Sequence, residues 1–137
     1  EYLARHEIHV EAYCKMVAIE ARTSIDMVMH QILPAALAYS KSLCEGLLAK
    51  KQLGIPCNAE SALAEKISVT ADRCYEKCEN LRKHLKGIPS DSTEASIYYH
   101  DTIVTEMKTL REDADLLEQL TDKSYWPYPT YSDLLYY

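Results

Sequence analysis

Several groups of residues have types and spacings that could do chemistry. His6-Glu7-Ile8-His9 places an acid between two imidazoles. A metalloprotease helix needs its histidines at i and i+4, so that both rings share a face with the glutamate between them as base. Here the step is i to i+3 and no third ligand is evident, so two surface histidines are expected. Cys74 and Cys78 stand one turn apart and could share a metal. Both also fall on an apolar stripe, where a free cysteine behaves as a small hydrophobe, and core packing is their expected role. Glu112, Asp113 and Asp115 offer carboxylates for a divalent ion, but near-consecutive helix positions point in different directions. A solvated acidic face is expected there.

His84-Leu85-Lys86-Gly87 is one residue short of the His-x-x-Lys-Gly spacing of phosphate-accepting histidines on helical bundles. Its cations, with Arg82 and Lys83, suit the negative end of a helix dipole. The sequence holds no Glu-x-x-His pair of the kind that builds di-iron bundles. It also lacks a G-x-S-x-G elbow, a P-loop and a dinucleotide fingerprint. No catalytic, cofactor-binding or metal-ligating residue is therefore assigned.

The elements that would position these residues are helices. Val10, Cys14, Val17, Ala21, Val28, Ile32, Ala35 and Tyr39 recur at steps of three and four, which predicts one helix over about 3–51. Pro34 lies inside it, cannot donate to the carbonyl of His30 and crowds that turn, so a kink or break is expected there. Leu53-Gly54-Ile55-Pro56 ends the helix with glycine at the left-handed position. A second helix is expected over 58–86, capped by Asn58, with Leu63, Ile67, Cys74, Cys78, Leu81 and Leu85 buried. It stops at Gly87-Ile88-Pro89. A third, over 91–121, opens with the capping box Asp91-Ser92-Thr93-Glu94 and buries Tyr99, Ile103, Met107, Leu110, Ala114 and Leu117. No stretch alternates with period two. The predicted fold is all-α, a bundle of three long antiparallel helices with the first kinked or broken at Pro34.

Residues 124–137 differ in kind. Trp126-Pro127-Tyr128-Pro129 interleaves rings with prolines, and each X-Pro step drives the preceding residue into extended geometry. This predicts a C-terminal strap that lies across the helices, with Trp126, Pro127, Tyr128, Pro129, Tyr131, Leu134 and Leu135 as docking residues and Pro34 as a structural one. Five of the 11 tyrosines fall in it.

Bulk chemistry narrows the function. With 15 Lys and Arg against 21 Asp and Glu, the net charge of −6 disfavours nucleic acid, whose binding needs concentrated positive charge. Charges interrupt every apolar run well before the ~20 residues that a membrane span needs. Five cysteines without a CxxC pair suggest reduced thiols and a cytoplasmic setting.

Two stretches carry a resemblance. Ile19-Glu20-Ala21-Arg22-Thr23-Ser24-Ile25-Asp26-Met27, followed by Ile32-Leu33-Pro34-Ala35-Ala36, resembles a helix near the C-terminus of type III glutamine synthetases. Trp126-Pro127-Tyr128-Pro129-Thr130-Tyr131-Ser132-Asp133-Leu134-Leu135 resembles that family's closing motif, and Arg5-His6-Glu7-Ile8 with Glu11, Tyr13 and Lys15 is similar to the stretch before the helix. Ser132 stands where the family has glycine, and Tyr128 and Tyr136 replace phenylalanine. The middle, Cys57 through Leu85, matches only in pattern and punctuation.

The resemblance implies an enzyme that joins ammonia to glutamate with ATP and a divalent metal (Mg or Mn), through a phosphorylated carboxylate, in large ring-shaped oligomers. Its metal-binding glutamates, phosphate-contacting arginines and nucleotide pocket belong to a β-rich region expected upstream of residue 1, and none of those motifs occurs here. The chain is thus expected to be an accessory C-terminal domain without a catalytic site or cofactor of its own. Its expected partners are the catalytic body of its own chain and neighbouring subunits of a large homo-oligomer. The rival expectation is an independent helical adaptor that binds partner helices through an apolar groove.

Overall fold

The computed structural model describes residues 2–129. Every regular element among them is helical. The first rod comprises α1 (Tyr2–Met27) and α2 (Leu33–Leu53), joined without interruption by a π turn over Val28–Ile32. The second is α3 (Asn58–Lys86). The third comprises α4 (Ser92–Tyr98), a second π turn (Tyr99–Ile103) and α5 (Val104–Leu120). A short 3-10 turn, Lys123–Tyr125, begins the C-terminal segment.

Pro34 does not break the first rod. The turn before it widens instead, and the Leu33 N–H donates to the Val28 carbonyl five residues back. That extra residue opens the helix where the pyrrolidine ring would meet a carbonyl, so the chain stays helical on both sides. The widening also corrects the predicted stripe. Val17, Ala21, Val28 and Ile32 are buried as expected. Beyond the π turn the buried set moves on by one position, to Leu33, Ala36 and Ser40, while Ala35 and Tyr39 are only half-buried. A strict α period carried through Pro34 misses that rotation.

The two Gly-Ile-Pro stops differ in geometry. At the first, Gly54 is left-handed (φ 72°), its N–H reaches the Lys51 carbonyl at 3.2 Å, and the Ile55 N–H reaches that of Lys50 at 2.9 Å. This paired closure satisfies carbonyls that the helix end leaves orphaned. Gly87 instead has φ −98°, and its N–H closes a tight turn on the His84 carbonyl at 3.1 Å. The Tyr98 hydroxyl donates to that same carbonyl at 3.2 Å. A Cβ at Gly54 would meet nothing within 4 Å, so any penalty there is purely conformational. Gly54→Ala is expected to lower stability by about 1 kcal/mol. Gly46→Ala, equally uncrowded but inside α2, is expected to raise it by roughly 0.5–1 kcal/mol. Urea denaturation of the two variants checks both signs.

The caps also sort themselves out. Asp91 accepts from the Glu94 N–H at 3.1 Å, as its position before α4 predicts. Asn58 does not cap α3, because it is already the first helical residue. Cys57 holds the cap position without a side-chain bond, and its carbonyl accepts from Ser61 N–H at 3.0 Å. Across the 54–57 loop, Lys50 pairs with Glu60 and holds that carboxyl below its ordinary range through a hydrogen bond.

The core lies where the three rods meet. From α3 it takes Ile67, Cys74, Cys78 and Leu81, all with no exposed surface, together with Ala71. Tyr99, Ile103, Leu110, Ala114 and Leu117 enter from the third rod. Leu63, Leu85 and Met107, predicted as core, sit half-buried at its edges. Polar pairs between the second and third rods descend on one as they climb on the other: Arg73 with Asp113, Lys77 with the Thr109 carbonyl, His84 with Glu106.

Candidate functional site

The structure places each sequence candidate. His6 and His9 are exposed on the first turns of α1. Among the described residues, no three His, Cys, Asp or Glu side chains come together. Cys74 and Cys78 have no exposed surface, and burial pushes their thiols up to about 12 and about 11. A thiolate is the reactive form, so these sulfurs act as packing atoms rather than nucleophiles. His84 faces inward across the bundle: its Nδ1 lies 2.5 Å from Glu106 Oε1, and its ring stands edge-on to Tyr98, with centroids 6.5 Å apart.

Asp113 overturns the expectation of a solvated acidic face. Glu112 and Asp115 are exposed, but Asp113 retains only 6% of its surface. Arg73 Nη2 meets its Oδ1 at 3.1 Å and Lys77 Nζ meets its Oδ2 at 2.6 Å. Lys77 also donates to the Thr109 carbonyl at 3.3 Å. Burial pushes the Asp113 carboxyl up, but the hydrogen bonds from Lys77 and Arg73 outweigh it and hold the group below the usual carboxylate range. A signal for this clasp was present in the sequence. Asp113 falls three residues after Leu110 and beside Ala114, on the apolar stripe, while Arg73 and Lys77 stand one turn apart on α3.

What remains as a site is the surface gathered by the C-terminal segment. Thr121 is buried as α5 ends, and Asp122 accepts from the Ser124 N–H at 3.3 Å to start the 3-10 turn. That turn sets Tyr125 against Tyr39 of α2, with ring centroids 5.4 Å apart and planes tilted 46°. Trp126 is extended (φ −77°, ψ 127°), as a residue before proline should be. Trp126 and Tyr128 are half-buried against the core, whereas Pro127, Pro129 and Pro34 are exposed. Tyr131, Leu134 and Leu135 lie outside the described residues. Both rings line a mainly apolar cavity of about 530 Å³ between the end of α1, the first π turn and α5. Met27, Val28, Ile32, Met107 and Leu110 form its wall, with Lys108, Arg111, Asp115 and Glu118 also lining it. The Trp126 Nε1 and the Tyr128 hydroxyl are buried without a hydrogen-bond partner among the described residues. This arrangement packs two rings over a hollow and presents no nucleophile beside a base among the described residues.

Comparison with known proteins gives the geometry its context. The sequence profile of the glutamine synthetase C-terminal domain matches residues 1–51, the span of α1, the π turn and nearly all of α2. A glutamine synthetase from Butyrivibrio fibrisolvens is 30% identical over 141 residues, taking in 99% of this chain and 20% of that protein. Residues 1–51 match the glutamine synthetase C-terminal domain, and the chain as a whole is similar to a glutamine synthetase. The type-3 glutamine synthetase of Dictyostelium discoideum is 27% identical over 145 residues, and a glutamine synthetase of Bacteroides fragilis 26% over 149, each with 99% of this chain covered. The chain spans about a fifth of the length of these curated relatives. Along the chain the profile falls on the long first rod, and the pairwise likenesses take in the rest.

Proposed function

We propose that the chain is the accessory C-terminal domain of a type III glutamine synthetase, a helical unit that packs on the enzyme's catalytic body and supports its assembly. The observation that carries this reading is the alignment of 99% of the chain with one fifth of glutamine synthetases. The described residues add three rods with their own core and no nucleophile–base pairing. On this reading the whole enzyme makes glutamine from glutamate, ammonia and ATP with Mg or Mn, and those ligands bind outside these residues. Trp126 and Tyr128 act as the described part of the strap, and the rods form an antiparallel bundle, for which the descending Arg73–Asp113 and His84–Glu106 pairs are the support. Five free thiols support a cytoplasmic setting. No helix among the described residues is long and apolar enough to cross a membrane.

The test is glutamine formation by the 137-residue chain beside that of the full-length synthetase. The full-length protein is expected to turn over and the chain to give only the background rate. Activity in the 137-residue chain would overturn the assignment of catalysis to other residues, and an inactive full-length protein would overturn the family function.

A further inference from the structure

A second cleft, of about 360 Å³, opens where α1 passes the end of α3. Its floor is apolar, with Ile25 buried and Leu85 half-buried. Its walls are charged. From α1 and the π turn come Arg22, Asp26 and His30, which stand at helical steps of four. From α3 come Arg82 and Lys86, one turn apart. Two arginines, a lysine and a histidine thus meet a single carboxylate, in a chain whose net charge is −6.

The charges of the cleft are only partly matched within the protein. Asp26 Oδ1 lies 3.4 Å from His30 Nε2. Arg82 gives Nη1 to Glu79 Oε1 at 2.7 Å and keeps its other N–H donors. Arg22 and Lys86 have no ion-pair partner among the described residues. A helix end does not explain the gathering. The negative pole of α3 suits its own cations, but Arg22 and His30 stand inside the first rod, which continues unbroken through Met27 and the π turn. Like charges held over an apolar floor repel one another, and a low-dielectric wall focuses their field into the cleft. Two features select what would relieve it. Arg22 and Lys86 leave two positive charges unanswered, which a dianion balances and a single carboxylate does not. Two guanidinium groups on different rods also offer planar forks that match phosphate oxygens, with the lysine as a point charge. A phosphate group carries about −1.5 to −2 charges near pH 7.

We infer that the cleft of Arg22, Arg82 and Lys86 is a binding site for a multivalent phosphate anion, free or carried on a nucleotide, which ties α1 to the end of α3. The site goes beyond the accessory role proposed above and does not depend on it.

Isothermal titration calorimetry of the 137-residue chain with pyrophosphate, at an ionic strength held constant with potassium chloride, tests it. The expected result is saturable binding of one pyrophosphate per chain, weaker binding of inorganic phosphate and none of acetate. An ADP titration separates the sources: binding tighter than that of pyrophosphate assigns the site to a nucleotide, equal or weaker binding assigns it to the free anion, and either supports it. Arg22→Ala and Lys86→Ala are each expected to weaken binding at least about tenfold with an unchanged circular-dichroism spectrum, because both side chains are exposed. Lys51→Ala, an exposed cation near the end of α2, is the control and is expected to bind like wild type. Heat that never saturates overturns the inference, as does acetate binding as tight as that of pyrophosphate. Binding indifferent to Arg22→Ala, or weakened equally by Lys51→Ala, overturns it too. In the full-length synthetase the double variant R22A/K86A is expected to bind one pyrophosphate per subunit fewer than wild type. Equal stoichiometry there means that other parts of the chain fill the cleft, and overturns the site. Neither experiment reads glutamine formation, so the two readings fail separately.

Discussion

Trp126→Ala is expected to destabilise the domain by about 2–4 kcal/mol, the range for removing a large packed ring. The ring is half-buried, packs against the core beside Tyr128 and walls a cavity of about 530 Å³. Truncation there enlarges a hollow that already exists and has rigid helices on two sides, so collapse cannot recover the lost contacts. Trp126→Phe separates packing from polarity. Among the described residues the buried indole Nε1 has no partner, and an unpaired buried donor is itself a liability of about 1–3 kcal/mol. The phenylalanine variant keeps most of the ring and discards that donor, so its loss is expected to stay below about 1 kcal/mol. Thermal melting of both variants decides the matter. Equal melting of wild type and Trp126→Ala would show that the ring contributes no packing.

Asp113→Ala is the second large effect, at about 2–3 kcal/mol. Removing one partner of a fully buried ion pair costs about 3–5 kcal/mol because the remaining charge is stranded. Here the stranded cations keep access to water, with the Arg73 side chain 45% and the Lys77 side chain 32% exposed, which lowers the figure. The carboxyl also predicts a pH dependence. Its folded value lies below that of a free aspartate, about 3.9. The ionised form is therefore the one that folding favours. Its contribution is fully present above about 3.9 and is lost as pH falls through the lower folded value. The stability gap between wild type and Asp113→Asn is thus expected to be constant at neutral pH and to close only in that acidic window. Urea denaturation of the pair along a pH series measures it, and a gap that closes near neutrality would contradict the clasp.

The legible parts of the molecule are those governed by local rules. The bounds of α3 follow from two Gly-Ile-Pro stops, and its stripe of Ile67, Cys74, Cys78 and Leu81 is buried as a strict helical period requires. The register of α2 was not legible, because the spacing of apolar residues assumes α turns and the widened turn before Pro34 adds one residue. Nothing in Tyr99-His100-Asp101-Thr102-Ile103 announces the second π turn, whose Val104 N–H reaches back to the Tyr99 carbonyl. The stripe survives there because Ala95, Tyr99 and Ile103 already stand four apart. Gly87 misleads for another reason: glycine permits a left-handed stop without requiring one, and the Tyr98 hydroxyl from α4 supports a different closure. Asp113 was misplaced because composition describes it as one acid among neighbours, while its environment is set by cations forty and thirty-six positions earlier in the chain.

The first rod runs from Tyr2 to Leu53. At ~1.5 Å per residue its contour is about 78 Å, roughly twice the diameter of a sphere made from a chain this size. Mechanically this rod is a strut, and its widened turn, at Val28–Ile32, sets the angle between its two arms. The arm beyond that turn, α2, is about 32 Å long, so each degree of bend there swings the tip at Gly54 by about half an ångström. A few degrees at the proline would thus displace the far loop by more than a bond length while the bonded turns on either side stayed intact. In an assembly that holds one end of the strut, the angle at Pro34 sets where the other end can make contact.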